Sequence, residues 1–218
     1  MKTSSVSSLE QIIENLFFKK RYIYATRLDD FVNIRAPEES QNITCKMEDM
    51  EDKDHITQLL ESICDDKSIL RAINNIISSF KDCILISAYY NDVAVGCIII
   101  IAPQEPIVYD SCRFTENQVR FAQLYVNSHY RRMGISSHLR YSAFEHWRNL
   151  YPNRTVIGII ERSNIASLKG ANKMNYNLEG SNYLLKFFGI NILSISNRAG
   201  RWEYLFLLGK GRHKKENN

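Results

Sequence analysis

The chain of 218 residues has no apolar stretch longer than Val93 to Ala102, and Gly96 interrupts even that one. A membrane-spanning helix needs about 20 predominantly apolar residues, so no span is expected. The opening Met-Lys-Thr-Ser-Ser-Val-Ser-Ser lacks the apolar core of a secretory signal, which makes the cytoplasm the expected location. With only 9 Gly and 4 Pro, collagen-like and Pro-rich low-complexity readings fail. The 5 cysteines are odd in number and no pair is spaced C-x-x-C, so neither a disulfide framework nor a zinc site is indicated. Several sit in apolar runs, where a reduced Cys serves as a small buried hydrophobe. No His, Cys and carboxylate set has ligand spacing, and no metal is expected. A one-sided charge is missing too: 28 Lys and Arg against 24 Asp and Glu give a net charge of +4. A dedicated nucleic-acid binder shows a larger and more clustered excess, so no nucleic-acid partner is expected. The mild excess does suit a small anionic ligand.

What is present is an ordinary globular mix, with 44% hydrophobic and 24% charged residues, on a chain long enough to bury a core without staples. Val6 to Lys19 has helical spacing, and Arg21 to Leu28 alternates like a strand. With a polar linker around Pro37, these define an N-terminal helix–strand extension over residues 1–41. A main domain over 42–208 and a basic, disordered tail over 209–218 complete the expected organisation. The main domain reads as strand Ile43–Met47, helices near Asp54–Ile63 and Lys67–Lys81, and a hairpin of Cys83–Tyr90 and Val93–Ala102 around Asn91-Asp92. A loop with Pro103 and Pro106 leads to strand Gln118–Asn127, helix Gly134–Leu150, strand Thr155–Glu161 and helix Asn164–Met174. Late strands follow at Tyr176–Leu185, Ile190–Ile195 and Trp202–Leu208. This order is α/β with a mixed sheet. Lys19-Lys20-Arg21 and the basic tail read as solvated charge, and membrane contact is not expected.

The informative stretch runs from Leu124 to Leu139, where an extended segment enters Arg131-Arg132-Met133-Gly134 and passes straight into a helix. The first turn of a helix has free N–H groups and a partial positive charge, which together attract anions. Gly134 removes a side chain where a phosphate must approach the backbone. Arg131 and Arg132 add fork-shaped donors suited to phosphate. A helix terminus alone contributes about 0.3–1 kcal/mol toward an exposed anion, so the arginines and several aligned N–H groups must supply the rest. Solvated loop charge is the competing reading of both arginines. His129 and His138 flank this turn, His129 as a candidate for anion binding and His138 as a helix-surface residue.

Here the sequence resembles the GNAT superfamily of acyl-CoA-dependent N-acyltransferases. Arg131-x-x-Gly134-x-Ser136 is similar to the family's Q/R-x-x-G-x-G/A, with Ser136 in place of the small third residue. Val126, Tyr130, Ile135 and Leu139 match the flanks, although Ser128 stands where the family often has Pro. Downstream, Asn164 to Tyr176 resembles the family's N-x-x-S/A-x-x-x-Y-x-K-x-G-F helix, with Ala171 replacing the Tyr and Asn175-Tyr176 replacing Gly-Phe. Asn91 with Val95-Gly96 resembles the early d-G-x-x-v-G strand pair, and the likeness extends over residues 43–182.

The resemblance implies a mixed, mostly antiparallel sheet with a splayed strand pair, flanked by helices. It implies acetyl-CoA or another acyl-CoA as co-substrate, with the pantetheine arm along Leu124, Tyr125 and Val126. The pyrophosphate would sit on Arg131, Arg132, Met133, Gly134, Ser136 and Ser137, and a backbone N–H of the same strand would stabilise the oxyanion. It places Asn164 near the pantetheine or the acceptor; read from the residues, Asn164 is also a good helix N-cap. Glu161, at a strand end, is the candidate general base, with an exposed structural Glu as the competing reading. The usual general-acid Tyr position holds Ala171. The implied activity is transfer of an acetyl or other short acyl group to a primary amine in a ternary complex. An amino sugar or other small molecule is the expected acceptor. A protein or peptide N-acetyltransferase and a non-catalytic acyl-CoA-binding module are the alternatives. Tyr183 to Gly189 could be core, acceptor wall or dimer face, and a homodimer stays open.

Overall fold

Asn91 and Asp92 adopt left-handed backbone, φ 47 and 65, which is the geometry of a two-residue hairpin turn. They join β3 (Cys83–Tyr90) to β4 (Val93–Ile101), the expected hairpin. The computed structural model describes residues 18–27, 42–174, 176–187, 190–198 and 200–207. The helix expected from Val6 falls outside these residues up to position 17, as do most of the linker and the basic tail. The chain forms two compact units. One comprises Thr26–Pro106 and Phe114–Gly158; the other comprises residues up to Ala25, Ile107–Arg113 and residues from Ile159 onward.

In the first unit β2 (Ile43–Met47) pairs with β3, β3 with β4, and β4 with β7 (Gln118–Val126), all antiparallel. β8 (Thr155–Glu161), which begins in this unit, runs parallel to β7. Helices α1 (Lys53–Ile63) and α2 (Lys67–Ser79) start on side-chain caps: Asp52 Oδ1 accepts from His55 N at 3.0 Å, and Asp66 Oδ1 from Ser68 N at 2.7 Å. Ile56, Leu59, Leu60 and Ile63 of α1 and Ile73 and Ile76 of α2 are buried, as the 3.6-residue period requires. α3 (Ile135–Leu150) lies against the opposite face of the sheet, where a Cβ on Gly96 would meet Leu139 and Ile135 at 3.3 and 3.4 Å. Ile135, Leu139, Ala143, Phe144 and Trp147 fill the interior from this helix. Leu150, expected on the same face, is the last residue of α3 and is 52% exposed.

In the second unit β1 (Phe18–Arg27) pairs antiparallel with β9 (Asn177–Phe187), β9 with β10 (Ile190–Arg198), and β10 with β11 (Arg201–Phe206). α4 (Ile165–Lys173) precedes β9. The stretch expected as a plain loop contains two short strands, β5 (Ile107–Tyr109) and β6 (Cys112–Phe114). Asp110 and Ser111 turn between them with φ 49 and 60. Arg21 also corrects the sequence reading. It is 3% exposed rather than solvated. Its guanidinium donates to Asn182 Oδ1 and, at 2.7 Å, to Asp110 O, and it pairs with Asp110 Oδ1 at 2.6 Å. Asn182 in turn donates to Ser194 and Ser196 at 2.7 and 2.8 Å, so the buried charge is fully partnered. Together the two units give a mixed, mostly antiparallel α/β fold with flanking helices.

The larger unit also buries Glu48, whose side chain is 1% exposed. It accepts from Ser87 Oγ, from Tyr89 OH at 2.9 Å and from His55 Nε2 at 3.2 Å. Burial pushes this carboxyl up, but the three hydrogen bonds and the Lys46 ammonium outweigh it and hold the group below its ordinary range. A lowered folded pKa adds stability above the unfolded value, about 4.3, and that stability is lost as pH falls through the folded value. Replacing Glu48 with Gln should therefore cost about 1–3 kcal/mol at pH 7 and flatten the fall in stability below about pH 4. Urea unfolding across pH measures both.

Candidate functional site

β7 is paired on both sides only at its start. Its ladder with β8 covers Gln118, Val119 and Arg120 opposite Thr155, Val156 and Ile157. On the other side β4 accompanies it to the end, with Gly96 opposite Val126. The register with β4 shifts between Ile99 and Ile100, which face Gln123 and Phe121 and leave Ala122 as the bulged residue. A bulge bends and twists its strand, and this one sits just past the last β8 pair. The stretch holding Leu124, Tyr125 and Val126 thus has no β8 ladder. Leu124 and Val126 face the α3 side and are half-buried, whereas Tyr125 faces the α1–α2 side and is buried. These residues are the ones the sequence assigned to the pantetheine arm.

After β7, Ser128–Tyr130 make a short 3-10 turn, and Arg131, Arg132, Met133 and Gly134 stand exposed. Arg132 and Gly134 have positive φ, 70 and 82. Only glycine adopts that backbone without strain, and the space a Cβ would enter at Gly134 is open to 4 Å. α3 begins there with no side-chain cap. Gly134 O takes the N–H groups of Ser137 and His138, at 2.8 and 3.2 Å. The N–H groups of Ile135 and Ser136 get no side-chain acceptor. By contrast α1, α2 and α4 each start on a capping carboxylate or carboxamide. Arg131 folds back, with Nε donating to Val126 O at 3.2 Å and the guanidinium 5.9 Å from the centre of the Tyr125 ring. The expected phosphate residues are thus contiguous: Arg131 to Gly134 are exposed, with two cations, and Ser136 and Ser137 are half-buried in the uncapped first turn of α3. These features suit a diphosphate, with a strand edge beside them for an extended arm. His129 is exposed, while His138 is half-buried and burial pushes its pKa down.

Glu161 and Asn164 belong to the other unit. Asn164 does cap a helix: its Oδ1 accepts from Ser167 N at 3.1 Å. Glu161 pairs with Lys19 Nζ, both side chains being about a third or more exposed. Ala171 is buried in α4.

Sequence reasoning missed Asp65, in the loop between α1 and α2. Its Oδ1 accepts from Tyr125 OH, and its Oδ2 from Ser128 Oγ and, at 3.0 Å, from Ser128 N. The Ser128 hydroxyl first, then its N–H, with help from Arg131, hold the carboxyl below the usual range. The Asp65-Asp66 pair was visible in the sequence. A tie across 60 residues to Tyr125 was not.

Two substitutions separate the conformational and capping roles. Gly134→Ala should destabilise the fold by about 1 kcal/mol through its left-handed backbone, despite the open space. Asn164→Ala should cost about 0.5–2 kcal/mol by loss of the cap. Urea unfolding reads both.

The sequence model of the acetyltransferase (GNAT) family matches residues 46–175. No curated protein matches the chain in sequence. Among solved structures, a tandem GNAT protein from the clavulanic acid biosynthesis pathway matches with a TM-score of 0.55 at 8% identity, over 82% of this chain and 57% of that one. A GCN5-related N-acetyltransferase from Kribbella flavida matches at 0.50 and 11%, over 82% and 63%. A functionally unknown conserved protein from Staphylococcus epidermidis ATCC 12228 matches at 0.52 and 16%, over 83% and 67%. The chain thus spans 57–67% of the length of these structures, whose likeness is one of fold. The family model matches more than half of the chain and takes in both the free end of β7 and the uncapped arginine turn, so this protein belongs to the GNAT acetyltransferase family.

Proposed function

We propose that the protein is an acyl-CoA-dependent N-acetyltransferase that moves an acetyl or other short acyl group onto a primary amine of a small molecule, an amino sugar being the first class to test. The observation that supports this most is the uncapped start of α3 behind Arg131 and Arg132, next to a strand end with no β8 ladder. Backbone N–H groups at Ile135 and Ser136, with Met133, Gly134 and Ser137 completing the turn, would hold the pyrophosphate. Arg131 would swing from Val126 O toward it, and Arg132 would add charge. The backbone of Leu124, Tyr125 and Val126 would pair with the pantetheine amides. Acetyl-CoA would supply a thioester as the electrophile and a thiolate as the leaving group.

The protein's own contribution is then largely positional. Holding amine and electrophile together can supply effective molarities of about 10⁵–10⁸ M. A β7 N–H would stabilise charge developing on the thioester oxygen. Glu161 would take the amine proton once released from Lys19, and Asn164, through its carboxamide Nδ2, would contact the pantetheine or the acceptor while still capping α4. A buried Ala171 offers no general acid. A thiol with an ordinary pKa of about 8.5 leaves tolerably as the thiolate near neutrality, so this absence slows the reaction without stopping it.

Calorimetric titration of acetyl-CoA into the protein and into an Arg131→Ala, Gly134→Glu variant tests this reading. We expect binding by the wild type and a loss of at least about tenfold in the variant, the worth of one charge-assisted phosphate bond. Free thiol should then appear when amines are added. A folded wild type silent toward acetyl-CoA and longer acyl-CoAs would overturn the assignment. Binding without thiol release across amino sugars, small amines and peptides would favour the non-catalytic alternative.

A further inference from the structure

The end of β7 has no β8 partner, yet the turn that follows it must be held still to present its donors. We propose that Asp65 is the positioning residue for this strand end and its turn, an inference that rests on the function proposed above. Its two carboxylate oxygens serve two different parts. Oδ1 takes the hydroxyl of Tyr125 in the strand, and Oδ2 takes Ser128 N and Oγ at the start of the turn. A neighbouring bond reinforces the tie: Asn127 Nδ2 donates to Ile63 O, at the end of α1, at 2.9 Å. Asn127 N also donates to Val95 O at 2.9 Å. The α1–α2 loop is thereby fastened to the angle between strand and turn. Three donors converge on Asp65, so the position needs an acceptor at both oxygens. A carboxylate meets that need with both oxygens, whereas asparagine has one acceptor oxygen, so one of the two ties is lost or must reverse its donor.

The inference has an unusual sign. Asp65 is a negative charge close to Arg131 and to a turn built for an anion. If it were only a nearby charge, neutralising it would tighten acetyl-CoA. As a positioning residue, its loss weakens binding.

The test is acetyl-CoA titration and initial-rate kinetics with D65N, Tyr125→Phe and the double variant. We expect D65N to raise Kd and the KM for acetyl-CoA about tenfold, the scale of coupling within one hydrogen-bonded network. The KM for the amine and the melting temperature should stay near wild type. Tyr125→Phe should weaken binding in the same direction, and the double variant should be no worse than D65N, since the tie that Tyr125→Phe deletes already ends on Asp65. A D65N protein that binds acetyl-CoA as well as wild type or better would overturn the positioning role and leave the proposed function standing. So would a fall in melting temperature with unchanged affinity. A wild type that does not bind acetyl-CoA would remove the proposed function and this inference together. If D65N does not fold, Tyr125→Phe, which deletes one hydroxyl, decides between the same outcomes.

Discussion

A strand in the middle of a sheet normally has both of its edges paired, because buried backbone N–H and C=O groups must find partners. β7 obeys this only as far as Arg120. The bulge at Ala122 then turns the strand, and its remaining residues keep β4 on one side alone. Among the described residues this edge has no ladder partner, a local cost unless water or a ligand satisfies it. An extended chain carrying amide groups is a chemical match for such an edge, in the way that a peptide adds to a sheet. The end of the β8 ladder at Arg120 is therefore the constraint from which the proposed cofactor site follows.

The start of α3 repeats the same logic at a helix end. Elsewhere this chain caps its helices with Asp52, Asp66 and Asn164. At α3 the N-cap is Gly134, which has no side chain to offer and holds a backbone conformation that other residues adopt only with strain. Donors left uncapped beside two exposed arginines favour an anion. Strand edge and helix start are consecutive in the chain, so one ligand with an amide-bearing arm and a diphosphate can satisfy both. Ser136 stands at a position where the family often has a smaller residue, and its backbone N–H lies in the uncapped first turn.

Much of this was legible in the sequence, and the gaps have definite causes. The helices at Lys53–Ile63 and Lys67–Ser79 and the hairpin at Asn91-Asp92 were readable because caps, periodicity and turn residues agree there. The turn from Arg131 to Ser137 was readable as a candidate because its residues are contiguous. β5 and β6 were not, since three residues each are too few to show a period, and Pro103 and Pro106 pointed to loop. Arg21 was misread because its partners, Asn182 and Asp110, lie 161 and 89 residues away. Asp65 was missed for the same reason: the segment it holds is distant in sequence, and nothing local distinguishes it from an exposed loop acid.

The acid–base question shows how the geometry shifts the chemical burden. Ala171 is buried, the oxygen of Asn164 lies in a helix cap, and the carboxylate of Glu161 is engaged by Lys19. At these three positions, then, the side chain has a structural partner or no polar group. General acid–base help contributes about 10²–10⁴-fold, well below what correct placement of two reactants can supply. A chain that gives up part of the first must make the second more exact, which means a rigid strand end and a fixed turn. Under the proposed function, the carboxylate at Asp65, the bulge at Ala122 and the left-handed Gly134 would all act on that one requirement. This is why the residues holding β7 and its turn in place matter more to the proposed reaction than any single proton-transfer group.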